Sequence, residues 1–487
     1  MARLPRKLSA GAGGMLNSPE NTLRQRSIFS RRQVLQAGGL SALGLTSAQL
    51  SKLRAGTTND TGTTKRRQNS CVFLFLFGGP SQIDLWDMKP NASAEIRGEF
   101  QPVATRVPGI QICEHLPRLA QQMDKVCLLR SMQHRMNVHG PACSEVFSGR
   151  PYHSAPITDQ ATPDDWPSLS AMTMRYGNSQ TGLPPSVVLP WYLQFPGQGA
   201  KIAGQTGGRM GERHDAMLIQ GSGDGEFQVD GLASDVTVPL ARIENRRRLS
   251  EQLQSGNPQR SYSKKLVNDI DRHRDRAFSL LQHRAGEILD LERETASLRD
   301  AYGRTSVGQS LLMARRLIEA GVSLVTVNWE DETKISGTNT CWDTHEDNFN
   351  KLKTLLCPMF DHAFPAFLRD LDDHGLLETT LVVAVGEFGR TPKLGQFTQS
   401  SNTKTSGRDH WPHAFTALLA GGGIRGGQVY GSTDRHAGSV TDSPVSPADL
   451  SATILYHLGV DYTQEYVSNN QGLRHRLSDG RPVKNLG

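Results

Sequence analysis

Cysteine is scarce in this sequence and carries no pattern. Cys71, Cys113, Cys127, Cys143, Cys341 and Cys357 form no Cys-x-x-Cys pair and no zinc-finger spacing, which removes the sequence basis for a thiolate metal site. An oxidising compartment would allow some of them to pair, but a chain of 487 residues has room for a core that needs no staples. They read as small buried hydrophobes. Also missing is any Lys/Arg stripe with interleaved aromatics. The formal charge of +6 comes from 54 basic and 48 acidic residues, and much of the excess sits near the N-terminus. That balance argues against a nucleic-acid partner. There is no His-Glu-x-x-His motif, so peptide hydrolysis at a metal has no support, and there is no internal repeat. What is present is ordinary for a soluble globular protein: 37% hydrophobic and 21% charged residues. Length alone would allow two or three domains.

The N-terminus reads as an address. Ser30-Arg31-Arg32-Gln33-Val34-Leu35-Gln36 precedes a weakly apolar run from Ala37 to Leu50 that is rich in Gly and Ala. This resembles a twin-arginine export signal, with a hydrophobic region too short and too Gly-rich to span a bilayer. The expectation is a signal and leader over residues 1–55 and a Thr/Gly/Asn-rich linker over 56–70. A periplasmic or extracellular mature chain with no transmembrane segment would follow.

From residue 71 to 487 the pattern is that of one α/β domain. Cys71–Phe77 is continuously apolar and β-prone, as expected of a central strand covered on both faces. Further strands are expected at 128–131, 186–190, 322–327, 381–385 and 415–420. Charged helical sequence from about 238 to 320 reads as an insertion without chemistry, with Leu249, Leu253, Leu266, Ile270, Leu280, Leu281, Ile288 and Leu291 as its buried positions. Phe349, Leu352, Leu356, Met359, Ala363, Phe367 and Leu371 recur at helical spacing, and His374-Gly375 closes that helix. A last helix starts at Pro447-Ala448-Asp449-Leu450. Apolar strands alternating with amphipathic helices make a mostly parallel central sheet flanked by helices.

Chemistry gathers in three Gly- or Trp-bounded stretches beside these elements: Trp342-Asp343-Thr344-His345, Gly386-Glu387-Phe388-Gly389-Arg390 and Gly407-Arg408-Asp409-His410-Trp411. Two imidazoles and several carboxylates on separate loops of an α/β protein suit a divalent cation, zinc or manganese, with calcium as the alternative. Each acid taken singly is as readily a helix cap, and a lone histidine is more often a hydrogen-bonded core residue. The joint placement favours a metal. Ser81 reads as shaping its turn rather than as a nucleophile, and His134, Asp361 and His362 read as structural.

The order of strand, long helix ending in His-Gly-Leu-Leu, strand, then Gly-Glu-Phe-Gly resembles the alkaline phosphatase and sulfatase superfamily. Together with Gly78-Gly79-Pro80-Ser81, the three stretches above resemble more narrowly an exported bacterial family known as domain of unknown function fifteen-oh-one. The likeness covers nearly all of the chain from Cys71 onward. It implies an alkaline phosphatase/sulfatase-like fold and a metal held by Asp84, Asp343, His345, Glu387 and His410, with Asp87 as runner-up to Asp84. Phe388 falls where the superfamily has a second ligand and cannot coordinate. His139-Gly-Pro-Ala-Cys-Ser-Glu-Val-Phe-Ser-Gly-Arg150 aligns with the sulfatase nucleophile motif, but His139 stands where the modified Cys belongs, so a formylglycine sulfatase is not expected.

The resulting expectation is metal-dependent hydrolysis of a phosphate- or sulfate-type ester, on a polysaccharide or a lipid. In it His139 acts as ligand, general base or phosphoryl acceptor. Arg390 either forks onto an anionic substrate oxygen or pairs with Glu387. The alternative is a non-catalytic metal- or glycan-binding module on a degenerate phosphatase/sulfatase fold.

Overall fold

The computed structural model describes residues 68–153, 160–179, 183–195, 200–221, 225–229, 245, 285–330, 332, 339–399, 403–469, 471–484 and 486. The expected leader and nearly all of the expected linker lie outside these residues. So do Leu249, Leu253, Leu266, Ile270, Leu280 and Leu281 of the expected insertion. The described residues all belong to the unit Arg67–Gly487.

Among the described residues the main sheet has eight strands: β1 (Ser70–Leu76), β2 (Val126–Met132), β3 (Ser186–Leu189), β4 (Met217–Leu218), β5 (Leu324–Trp329), β6 (Thr380–Val385), β7 (Phe415–Ala420) and β8 (Gln428–Tyr430). Their spatial order is β8-β2-β7-β6-β1-β5-β3-β4. Pairings of β1 with β6 and β5, of β3 with β5 and β4, and of β2 with β8 are parallel. Only β7 runs against its neighbours β6 and β2. The expected mostly parallel α/β sheet is what this chain forms.

Strand β1 shows why. All seven of its residues are buried, and side chains alternate across a pleat, so both faces need cover. Val72, Leu74 and Leu76 meet one helical layer, and Cys71, Phe73 and Phe75 meet another. On the first face lie α4 (Ala296–Tyr302), α5 (Ser306–Glu319) and α6 (Cys357–Asp373); on the second lie α2 (His139–Ser148), α3 (Leu169–Tyr176) and α7 (Pro447–His457). Phe75 and Phe147 pack at a tilt with centroids 4.4 Å apart, joining β1 to α2.

Two boundaries differ from expectation. Helix α5 buries Val307, Leu311, Leu312 and Leu317 against the sheet, so the end of the expected insertion is a core helix. Strand β5 starts at Leu324, because the amides of Ser323 and Leu324 both donate to the Pro185 carbonyl and end the turn there. Leu352, Leu356, Ala363, Phe367 and Leu371 are buried as expected, and Phe349 and Met359 are half-buried, along the helical stretch that ends in α6. Its start is preceded by a π turn over Leu352–Leu356, and Gly375 adopts φ 60° just past its end. All six cysteines are buried and unpaired. No helix among the described residues is long and apolar enough to cross a membrane.

Candidate metal centre

Parallel strands deliver their C-terminal ends, and the loops after them, to a single edge of a sheet. Here β1 leads there to Gly78-Gly79, β2 to Asn137 and His139, and β6 to Glu387. Being antiparallel, β7 is entered from that same edge, and the residues just before it, His410–Trp411, lie there. They form a short antiparallel ladder with Gly389–Arg390.

Four side chains converge at this edge. His139, Asp343, His345 and His410 each offer one ligand atom, and all four atoms lie within 4.8 Å of one another. Asp343 sits at the middle. Its Oδ1 is 2.9 Å from His345 Nε2 and 3.3 Å from His410 Nε2, and its Oδ2 is 3.4 Å from His139 Nε2. The two Nε2 atoms of His345 and His410 stand 3.0 Å apart.

Each ring is fixed from behind. His139 Nδ1 is 2.5 Å from Glu387 Oε1. His410 Nδ1 donates to the Asn137 carbonyl at 2.7 Å, which leaves the Nε2 lone pair facing inward. His345 Nδ1 lies 3.0 Å from Thr403 Oγ1. Rings tethered at Nδ1 and open at Nε2 are how a protein presents imidazole to a cation. Tetrahedral ligands on ~2.0–2.1 Å bonds lie about 3.3 Å from each other, and the spacings above are of that size. The nitrogen-rich donor set fits zinc, and manganese less closely; calcium prefers oxygen donors throughout.

Charge within the cluster is balanced by its own members, and a cation would have to displace the proton from His139. Burial works against a His139 cation, but the Asp343 and Glu387 carboxylates outweigh it and raise this ring to about 9. Burial, then the neighbouring His139 charge, lowers His410 to about 3. The recessed position of Asp343 opposes its ionisation, yet Arg390 and His139 hold it well below the usual carboxylate range.

The structure corrects three of the expected roles. Asp84 does not reach the cluster. Both of its oxygens are engaged by Arg408, at 2.8 and 2.9 Å, with neither residue exposed; Ser81 Oγ adds a bond at 2.6 Å. Asp87, the runner-up, pairs with Lys89 instead. Glu387 sits one imidazole back, accepting from Gly78 N and bonding His139, so it orients a ligand rather than being one of the four. Arg390 has no exposure and is not available to a substrate. It donates to the carbonyls of Gly78, Gly79 and Arg408 and to Asp343 Oδ1 at 2.5 Å, clamping Asp343 and not Glu387.

Close packing of the loops demands glycine at two positions. A Cβ on Gly78, at φ +108°, would sit 2.3 Å from the Asp343 nitrogen, and one on Gly407 would sit 1.8 Å from the His345 carbonyl oxygen. Phe388 stacks on His410 with centroids 4.4 Å apart and forms an apolar wall on that side of the cluster. Asp361 accepts from the Arg118 and Leu119 amides, and His134 bonds the Glu387 carbonyl; both are structural, as expected. Sequence reasoning passed over Arg408, Asn137, Thr403 and Gln82, whose parts are played through backbone groups or long-range pairing that no local motif marks.

A cavity of about 690 Å³ opens on the cluster, with Asp343 and His345 in its wall beside Glu346, Asp347, Lys351 and Lys404. Its size falls in the ~300–1,000 Å³ range of small-molecule sites.

No curated protein matches the chain. Among solved structures it is similar to a sulfatase from Pseudoalteromonas sp., with 10% identity, 86% of this chain and 74% of that one covered and a TM-score of 0.36. It is also similar to a phosphonate monoester hydrolase from Silicibacter pomeroyi, with 12% identity, 85% and 76% covered and a TM-score of 0.37. A third is a protein in the alkaline phosphatase superfamily from Vibrio parahaemolyticus, with 10% identity, 81% and 67% covered and a TM-score of 0.33. Likenesses this distant leave the chemistry to the residues themselves. The family model described as "Protein of unknown function (DUF1501)" matches residues 68–486, and the chain belongs to that family.

Proposed function

We propose that this chain is an exported, metal-dependent hydrolase of phosphate- or sulfate-type esters, acting in the periplasm or outside the cell. The observation that carries the reading is the meeting of His139, Asp343, His345 and His410 around one point, each imidazole tethered at Nδ1, at the wall of a substrate-sized cavity. A divalent ion bound there supplies Lewis acidity toward an ester oxygen and toward water. The remaining work belongs to the chain. Asp343, clamped by Arg390, supplies the negative charge that a cation needs. Glu387 holds the His139 ring in place and accepts its Nδ1 proton, so that Nε2 faces the cluster. Phe388 and Phe77, with centroids 5.0 and 5.2 Å from the His139 ring, exclude water from one side of it. An ester would enter from the cavity, where Lys351 and Lys404 stand beside the acids Glu346 and Asp347, so that a cation bound at the cluster supplies the main pull on an anionic group; a polysaccharide or lipid ester is the class favoured.

The test is an assay of the purified mature chain, loaded with zinc or manganese, on aryl phosphate, phosphodiester and sulfate esters. Turnover abolished by His139→Ala and by His345→Ala supports the enzyme. Stoichiometric metal without turnover on any ester supports the second reading, a metal- or glycan-binding module. The burial of Phe388 against His410 favours that module, because it narrows the site to one cation.

A further inference from the structure

Away from the four ligands, this edge holds a polar group that the hydrolase reading does not use: the fully buried pair Asp84–Arg408. Asp84 lies on α1 (Gln82–Leu85), a single helical turn after the Gly78-Gly79 bend. Its carboxylate accepts the Arg408 fork at 2.8 and 2.9 Å and Asn348 Nδ2 at 2.9 Å. From there the bonds run outward into the segments that carry Asp343, His345 and His410 and into the one whose Arg390 clamps Asp343. Asn348 Oδ1 accepts from Thr344 Oγ1 at 2.7 Å, and Thr344 separates Asp343 from His345. The Arg408 amide, two residues before His410, donates to the Thr344 carbonyl at 3.1 Å. Arg408 Nη1 donates to the carbonyls of Thr391 at 2.9 Å and Pro392 at 2.5 Å. On the same helical turn as Asp84, the Gln82 amide pairs with the Arg390 backbone, accepting at 2.8 Å and donating at 2.9 Å.

We infer that Asp84, Arg408 and Asn348 are positioning residues of the metal centre: a buried ionic hub that sets the distance of the His410 segment from the Asp343–His345 segment. A generic core ion pair would stabilise the fold, or cost it little when replaced, without setting those distances. This hub ties together three loops from the Asp84 side, as the equally buried Arg390 does from the Gly78 side. Loops delivered by separate strands need such an anchor to hold ligands to a few tenths of an ångström. The inference rests on the metal reading of the cluster but can fail separately from it.

Three variants test it against a control. Asp84→Asn keeps shape and removes charge, and Arg408→Lys keeps charge and removes the fork. Asn348→Ala removes the bonds to Asp84 and Thr344 but leaves the Asp84–Arg408 pair in place, and keeps the test informative should the first two not fold. The control is Asp370→Asn, which breaks an equally buried pair with Arg315 (3.0 Å) in the helical layer of α5 and α6. Substitutions behind the ligands weaken metal binding by ~10–100-fold; that loss in zinc affinity is expected for the three variants and not for the control. In metal-free protein labelled at histidine, the imidazole nitrogen resonances of His345 and His410 should move in Asp84→Asn and Arg408→Lys. In Asn348→Ala, His345 should move further than His410. The proposal is overturned if the hub variants leave both affinity and resonances at wild-type values, or if Asp370→Asn shifts them as far. Wild-type protein that takes up no zinc would sink the hydrolase reading, while the metal-free spectra would still decide the role of the hub.

Discussion

Glu387 is wholly buried and is held by the Gly78 amide, which bonds both of its oxygens, at 2.9 and 3.1 Å. Its one remaining task is His139. Replacing it by glutamine keeps the size and removes the charge, so zinc affinity should fall by ~10–100-fold, as read by competition with a chromophoric chelator; unchanged affinity would reduce Glu387 to a packing residue. Nearby His134 is held neutral. It donates from Nε2 to the Glu387 carbonyl at 2.6 Å and accepts the Met136 amide at Nδ1, and burial pushes it down to about 4. A depressed histidine contributes stability that is complete above its unfolded value near 6.5 and is lost as pH falls toward the folded one. Over that window each pH step of one is worth up to about 1.36 kcal/mol, so about 2 kcal/mol should disappear between pH 7 and pH 5. Urea unfolding at the two pH values would show at least that slope in the wild type, and His134→Gln should reduce it by that amount, the depressed His410 keeping its own share.

At the scale of elements, the bend after β1 is where the fold hands over to the site. Gly78 is at φ +108° and a side chain there would collide with the Asp343 backbone. Gly78→Ala should therefore cost at least ~1–3 kcal/mol from the strained φ alone and, by displacing Asp343, lower zinc affinity. Denaturant unfolding and the chelator competition would check the two effects separately. The strands themselves were legible as continuous apolar runs, because a strand buried on both faces has no polar alternation to hide behind. The Gly389–Arg390/His410–Trp411 ladder was not legible. Its two halves are four residues of polar and aromatic character, paired across a loop with no local pattern to mark them.

For the whole molecule, a cation that binds the folded chain alone must stabilise it. At zinc concentrations 100 times the dissociation constant the gain is about 2.7 kcal/mol, a shift of the thermal midpoint that a chelator should reverse. In His345→Ala/His410→Ala the chelator should leave the midpoint where it was. A wild-type midpoint indifferent to both zinc and chelator would remove the metal from the account. Of the expected site, Asp343, His345, His410 and His139 proved to share one point. Asp84 and Arg390 were drawn to other partners because each buried charge required an opposite charge or carbonyls at hand. The amino-acid types at those positions do not reveal which partner that is.

Local sequence was sufficient for what local physics governs. Apolar periodicity set the strands and the long helix, glycine marked the bends, and the residue types pointed to a cluster of imidazoles and a carboxylate that could hold a metal. The tertiary structure alone decided which acids face the cluster and which are neutralised behind it. That choice depends on the antiparallel entry of β7, the docking of the loops on Gly78 and Gly407, and the destination of two buried guanidinium groups. Those contacts join residues as much as 324 positions apart, and no periodicity along a chain encodes pairing over that separation.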